Sequence, residues 1–420
     1  MVLEGQRMRK AQRNLYTFLV SKMLTSLGFG VFNFGMSLYI LSATGSALSF
    51  ATNMMFNVLP RALAAPLAGY VADRFPKKRI VVLSMTGITL SVAALFVYTI
   101  LFGMSVPAIY TITTIFSIIG AFNGVAFSSS IPNLVGKERL QKALSFNQVS
   151  YSIGGIGGPA MGGMLFGFVS MQVFVFSMMI TYFIALCLEA TMDFGLFEVK
   201  VKKKKESIAQ SMKEGWQYLR TKPMIQTLLM TTLWINFFSS AVTVGLVFVL
   251  VQKLSVPSTQ VGFIQGAGAM GMLMASLYLS VHNDLKNPLT FVRRSALSLC
   301  GIVTCITLPL FLAFNGFHSF IFYMALMFLF SALSVGANTP MGVVIQRSID
   351  DEYRGRVFGI METLSVGMGP IGSMIFGALF DVVDAKVIFL CAGIILFILI
   401  ARLLSWNKLK DSETYIQVSS

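Results

Sequence analysis

Three ionisable side chains stand inside long apolar stretches of this 420-residue chain: Lys22, Arg61 and Glu362. A charge at the middle of a bilayer costs about 2.5–3.5 kcal/mol on insertion scales, so it persists where it is paired, wetted or used. Arg61 is the deepest, near the centre of its stretch and beside Pro60; Lys22 lies roughly 10 Å past Leu15 at ~1.5 Å per helical residue. Snorkelling to the inner surface suits Lys22 and Glu362 and fits Arg61 poorly. Among the other carboxylates, Glu189, Asp73 and Asp381 sit close to the ends of apolar stretches, and the rest fall in loops or tails. Glu362 is therefore the candidate for a carboxyl that takes up and releases a proton. Asn33, Asn123, Asn236 and Asn338 place amides in the first, fourth, seventh and tenth stretches. Each could bind a ligand, although an interhelical hydrogen bond is the commoner use of such a residue.

The elements that must position these groups are membrane-spanning helices. The chain is 55% hydrophobic and 12% charged, a balance foreign to soluble domains. Twelve apolar runs of spanning length are expected at about 15–41, 47–72, 80–102, 107–128, 143–169, 171–190, 224–251, 258–281, 292–314, 318–346, 357–381 and 386–405. The net charge of +15 does not indicate nucleic acid, because Lys and Arg sit in short loops between apolar runs rather than on one hydrophilic face. The six turns on one side hold only Lys253 and Lys386, whereas basic residues crowd the other side. That bias predicts a multi-pass protein with both termini cytoplasmic. Four Cys inside apolar runs and two His in separate loops offer neither a disulfide framework nor a metal or catalytic centre. The 37 Phe and 26 Met suit a pliable apolar pocket and equally a lipid-facing surface.

Two local patterns stand out. Gly154, Gly158 and Gly162 recur every four residues around Pro159, with Gly163 following, so one smooth helical stripe is predicted where a second helix approaches closely and the helix bends. The pattern returns about 211 residues later as Ser365-Val-Gly, Gly369-Pro370 and Met374-Ile-Phe-Gly, which predicts two equivalent halves. The second pattern is the short loop Gly69-Tyr-Val-Ala-Asp73-Arg74-Phe-Pro-Lys77-Lys78-Arg79, a fixed charge cluster at a helix end. There Asp73 could face the N-terminal end of a neighbouring helix and Arg74 an acidic partner. The predicted layout is a polar N-terminus at 1–14, a six-helix half at 15–190, a linker at 191–223, a second half at 224–405 and a tail at 406–420. The linker carries the basic run Lys200–Lys205, a charge anchor, and then Ile208, Met212, Trp216 and Leu219 on one face of an amphipathic helix expected to lie at the membrane interface.

Gly69, Asp73, Arg74, Lys77 and Lys78 resemble the loop motif of the major facilitator superfamily, and Gly154 to Gly163 with Pro159 resembles the fifth-helix motif of its drug:proton antiporters. Thr44-Gly-Ser-Ala, Ile131-Pro-Asn-Leu-Val and Tyr353-Arg-Gly-Arg356-Val-Phe are similar to the macrolide-efflux-like branch. Two departures are the Pro76 in a place where that loop commonly has Gly, and the lack of Arg in the fourth span. The loop counterpart in the second half, His282-Asn-Asp284-Leu-Lys286, is also eroded.

The resemblance implies an all-α integral membrane protein with twelve helices in two pseudo-symmetric halves. It implies a secondary transporter of the plasma membrane that is not an enzyme, works as a monomer among membrane lipids and needs no cofactor beyond the proton gradient. Amphipathic small molecules such as drugs would leave in exchange for protons, through a path near Lys22, Arg61, Glu362 and the four Asn. The Asp73 loop, Arg356, the fifth-helix glycines and Pro370 of the eleventh helix would serve gating. A lipid, a siderophore or a self-made peptide is the alternative cargo on the same fold. A membrane sensor or intramembrane enzyme fits worse, since the loops are short and the spans hold no cluster of His, Asp or Ser.

Overall fold

The computed structural model describes residues 2–136, 139–197, 208–281, 287–312 and 316–405. The basic run 200–205, the second-half loop 282–286 and the tail from 406 lie outside the described residues, as do the side chains of Asp73, Ile208, Met212 and Glu362. Six long helices come first: α1 (Val2–Thr44), α2 (Ala47–Arg74), α3 (Lys77–Phe102), α4 (Val106–Val135), α5 (Leu140–Phe168) and α6 (Met171–Thr191). A short α7 (Ile208–Arg220) follows, then α8 (Pro223–Phe248), α9 (Ser258–Val281), α10 (Pro288–Cys305), the single turn α11 (Leu308–Leu312), α12 (Gly316–Ser348), α13 (Asp351–Val382) and α14 (Ala385–Leu403). Among the described residues ten stretches are long and apolar enough to cross a membrane, α10 and α11 together making one. The other two long helices, α2 and α5, have 28 and 29 residues, also a spanning length. Their apolar character is diluted by Arg61 and two prolines in α2 and by the glycines of α5. Outward side chains such as Leu63, Leu83, Phe102 and Phe168 are largely exposed, which suits a lipid-facing coat.

Helix contacts divide the chain into two units. The first comprises Met1–Thr44, Thr52–Lys202 and Pro257–Gly266; the second comprises Gly45–Ala51, Lys203–Val256 and Ala267–Ser420. In the first, α1 packs on α5 and α6, and α3 packs on α4 and α6. In the second, α8 packs on α13 and α14, and α10 packs on α12 and α14. The pairing scheme is the same, as a parallel repeat requires.

The tightest joint of the first unit is α1 on α5. A Cβ on Gly158 would stand 2.5 Å from the Gly30 Cα, and one on Gly162 would stand 2.9 Å from the Val31 carbonyl oxygen. One on Gly154 would run into the backbone of Ser26. The stripe predicted from the four-residue spacing thus faces α1, and α5 continues as one helix through Pro159. Gly163 points elsewhere: its Cβ would lie 2.8 Å from Gly262 near the start of α9. Gly155, one position off the stripe, has open space around it.

In the second unit Gly372 sits against Ser240 and Phe237 of α8, and α13 runs through Pro370. Asp381, near the end of α13, accepts hydrogen bonds from Ser46 Oγ (2.5 Å) and from the amides of Ala47 (2.6 Å) and Leu48 (3.2 Å). A carboxylate there satisfies free amides of the first turn of α2 and complements its dipole.

The linker helix α7 is packed on α13. Glu214 pairs with Arg356 (2.9 Å), the Tyr218 and Tyr353 rings stack at 4.5 Å, and the Tyr218 hydroxyl donates to Asp350 (3.0 Å). Of the predicted apolar face, Leu219 is buried and Trp216 is 41% exposed. The ion pair is partly exposed and is worth about 0.2–1 kcal/mol, so the aromatic stack, at roughly 0.5–1.5 kcal/mol, contributes the larger share.

Two predictions follow from this packing. Gly158→Val should push α1 from α5 and cause loss of monodisperse protein in detergent, whereas Gly155→Ala should be neutral or stabilising by about 0.5–1 kcal/mol; thermal unfolding of the solubilised protein reads both. Tyr218→Ala should speed amide exchange in α7 more than Glu214→Gln does. Equal effects would mean that the ion pair, not the stack, holds the helix.

Candidate functional site

The described ionisable groups inside the spans of the first unit gather where α1, α4, α5 and α6 meet, with Arg61 of α2 beside α1 and α4. α1 is 43 residues long, about 64 Å at ~1.5 Å per residue, so it extends well beyond a ~30 Å hydrocarbon layer. Its first turns are tied down by Asn14, whose amide donates to the Leu134 carbonyl at the end of α4 (3.0 Å) and to the Asp193 carbonyl after α6 (3.0 Å). The Asn14 carbonyl in turn accepts from the Asp193 amide (3.1 Å). This extension covers the end of α6 with protein.

Two turns further along α1 come Ser21 and Lys22. The Ser21 hydroxyl donates to one oxygen of Glu189 on α6 at 2.9 Å, and Asn123 of α4 donates to the other at 3.4 Å and to the Val81 carbonyl of α3 at 3.4 Å. Glu189 is 0% exposed and Ser21 likewise. Sequence position alone sets this carboxyl aside as a span-end residue. The structure places it in the interior, because α1 and α4 run past it.

Lys22, 5% exposed, turns its ammonium to α5 and donates to the Tyr151 hydroxyl at 3.2 Å. Its Nζ lies 4.4 Å from the centre of the Tyr151 ring and 5.6 Å from that of Phe127. The Lys22 charge also acts on Glu189. Ring faces contribute up to about 2 kcal/mol to a desolvated cation, which offsets much of its roughly 2.5–3.5 kcal/mol burial cost. Snorkelling is therefore not how Lys22 is accommodated. Arg61 is half-buried on α2; its guanidinium carbon lies 5.4 Å from the Phe29 ring centre, and one nitrogen stands 3.2 Å from where a Gly124 Cβ would be. Glycine at 124 thus leaves room on α4 for the arginine head.

Further along the same three helices runs a ladder of amides. Asn57 Nδ2 of α2 donates to Asn33 Oδ1 of α1, Asn33 donates to the Phe29 carbonyl (2.8 Å), and Asn53 donates to Ser37 Oγ (2.9 Å). Ser117 of α4 donates to the Asn57 carbonyl. Asn33 was legible in the sequence, while Asn57, Asn53, Ser21, Glu189 and Tyr151 were not singled out. A count of every amide and hydroxyl at helical spacing along α1 and α2 would have found the ladder.

Two further predicted amides belong to the second unit. Asn236 is half-buried on α8, and Asn338 is exposed and donates to the Ser334 carbonyl of its own helix (3.0 Å). In the charged loop, α2 ends at Arg74 and α3 starts at Lys77 behind Pro76, whose φ of −57° is proline's own preference. Lys77 Nζ donates to the Ser129 carbonyl at 2.6 Å and so ties the loop to α4. Arg74 lies over the Tyr70 ring at 4.2 Å, Lys78 is exposed, and a Cβ on Gly69 would meet nothing.

The sequence profile described as Major Facilitator Superfamily matches residues 18–363 and 232–418. Macrolide efflux protein A of Streptococcus pyogenes is 26% identical over 391 residues, covering 90% of this chain and 92% of that one. The multidrug efflux pump Tap of Mycolicibacterium fortuitum is 23% identical over 407 residues, with 92% and 93% covered. Among solved structures, a bacterial homologue of the iron transporter ferroportin in an inward-facing state superposes with a TM-score of 0.67 over 94% of this chain and 99% of that one, at 16% identity. Helices, repeat and profile agree, and the chain belongs to the major facilitator superfamily as a multi-pass membrane transporter, not an enzyme.

Proposed function

We propose that this transporter exports amphipathic, cationic or neutral small molecules from the cytoplasm in exchange for protons, from the plasma membrane and with both termini cytoplasmic. The observation that carries this reading is the set of ionisable side chains held inside the spans, Lys22 and Glu189 above all. An inert scaffold has no use for charges that cost free energy to hold away from water. The names of two relatives, a macrolide efflux protein and a multidrug efflux pump, support export as the direction and drugs as the cargo.

In this proposal Lys22, Asn33, Arg61 and Asn123 line the path in the first unit, and Asn236 and Asn338 line it in the second. Glu362, on α13, exchanges a proton for substrate. The Asp73 loop with Arg74, Lys77 and Lys78 latches the cytoplasmic side, and the glycine-rich helices α5 and α13 carry the alternation between access states, with Arg356 at the inner end of α13. One proton crossing 100 mV supplies about 2.3 kcal/mol, enough to hold a concentration ratio of roughly 50 for a neutral molecule exchanged one for one; for a monovalent cation the charges cancel and the pH difference does the work.

The test is transport by purified protein in vesicles under an imposed pH gradient, with erythromycin, ethidium and other amphipathic compounds added while internal pH is followed. Compound-dependent proton flux in wild type and a loss of about tenfold or more in Glu362→Gln are expected. No flux with any compound, in protein shown to be folded, would remove drug:proton antiport. Flux that Glu362→Gln leaves untouched would remove that residue alone. Arg61→Lys keeps the charge but loses the flat guanidinium that lies over Phe29; a weaker apparent affinity at unchanged maximal rate is expected from initial-rate transport.

A further inference from the structure

We propose that Glu189, held by Ser21 and Asn123 and flanked by Lys22, is a second proton-binding carboxyl, and that its protonation state sets how firmly α6 is tied to α1 and α4. The inference rests on the antiport reading above and adds a site in the first unit.

Three observations carry it. The carboxyl is 0% exposed, yet each of its oxygens has a donor from a different helix, Ser21 at 2.9 Å and Asn123 at 3.4 Å. Ser21 and Asn123 both donate, so the site as built matches a carboxylate, whose two oxygens accept, better than a Gln amide, which has one acceptor oxygen. Exposure also rises stepwise outward from the carboxyl. Glu189 is closed, Lys22 is 5% exposed, and Tyr151, which accepts from Lys22, is 38% exposed. α6 itself has 21 residues, about 31 Å, and Glu189 lies in its last turn, near the edge of the hydrocarbon layer.

The charged groups around it are few. Lys22 of α1 is the charged side chain that acts on Glu189 among the described residues. α4 presents the neutral Asn123, α3 the Val81 carbonyl bound to that Asn123, and α5 the Tyr151 phenol beyond Lys22. As a carboxylate, Glu189 accepts from both donors and offsets the Lys22 charge. With a proton taken from water it is neutral, one oxygen becomes a donor, and the Lys22 charge is left to the rings of Tyr151 and Phe127. Taking up one proton therefore leaves one acceptor oxygen for two donors, so the tie from α1 or the tie from α4 must rearrange, with no other reactant required.

Full-length wild type, Glu189→Gln, Glu189→Asp and Ser21→Ala, each reconstituted in vesicles, test this in two ways. Infrared difference spectra between alkaline and acidic buffer, with no compound added, report carboxyl protonation directly. One component of the protonated-carboxyl C=O absorption is expected in wild type, lost in Glu189→Gln while the rest of the chain's 17 Asp and Glu still contribute, restored in Glu189→Asp and moved in pH by Ser21→Ala. Compound-driven proton flux with erythromycin or ethidium should fall about tenfold or more in Glu189→Gln and lose its pH dependence, while exchange of compound for compound across the membrane continues. An infrared titration that Glu189→Gln leaves unchanged overturns the site. A wild-type pH profile of flux in Glu189→Gln overturns its role in coupling, and so does loss of compound exchange in parallel with flux, which marks a merely structural residue. If Glu189→Gln does not fold, Ser21→Ala decides: a band whose pH dependence does not move is not the Glu189 carboxyl. Absent flux in wild type with the band intact counts against antiport and leaves the proton site standing.

Discussion

The backbone-to-backbone approach of α1 and α5 is the constraint on which the first unit depends. In lipid there is no hydrophobic force between helices, so association rests on close packing and on polar groups satisfied by one another. Three glycines on one stripe allow α5 to lie against Ser26, Gly30 and Val31. With the axes this close, the Lys22 side chain, one turn before Ser26, can reach the Tyr151 hydroxyl. A bulkier seam would separate those groups and leave a charge without its partners.

The polar interior of the first unit follows the same logic at larger scale. Several polar groups of this unit are paired across helices: Ser21 and Asn123 with Glu189, Asn33 with Asn57, Asn53 with Ser37, Lys77 with the end of α4. These bonds link α1 to α2 and α6, and α4 to α3 and α6, so polar ties and glycine packing reinforce one another within one unit. The second unit repeats the helix pairing but places its notable charge differently, with Asp381 on the first turn of α2. Its seventh helix, α8, carries no lysine between Lys222 and Lys253, so the Lys22–Tyr151 arrangement has no twin there. The two halves share a scaffold, and the charge chemistry that differs between them is added to it.

Much of this was legible in the chain itself. The spacing of Gly154, Gly158 and Gly162 announces a helix face without side chains, and packing then uses it as one. Lys22, Arg61 and Asn123 are visible because charged and amide side chains are rare in apolar runs. Glu189 was passed over because depth was judged along α6 alone. Its burial comes from α1, whose first turns read only as a polar N-terminus but continue the helix and are clasped by Asn14. Likewise the amphipathic pattern of α7 reads as a helix at the membrane interface, whereas the structure packs it on α13 through Tyr353 and Arg356, because an apolar face does not specify what covers it.

The sequence by itself determined the number and length of the spans, the twofold repeat, the family and the side bearing the basic residues, because each is a property of composition or spacing along one strand of chain. The tertiary structure decided which helix faces the glycine stripe, which buried charges meet and which carboxyl is sealed from water. Those outcomes depend on residues more than a hundred positions apart being brought within 3–4 Å, as Ser21 and Lys22 are with Glu189 and Tyr151. No local pattern encodes such a distance, since it is set by how closely whole helices can approach.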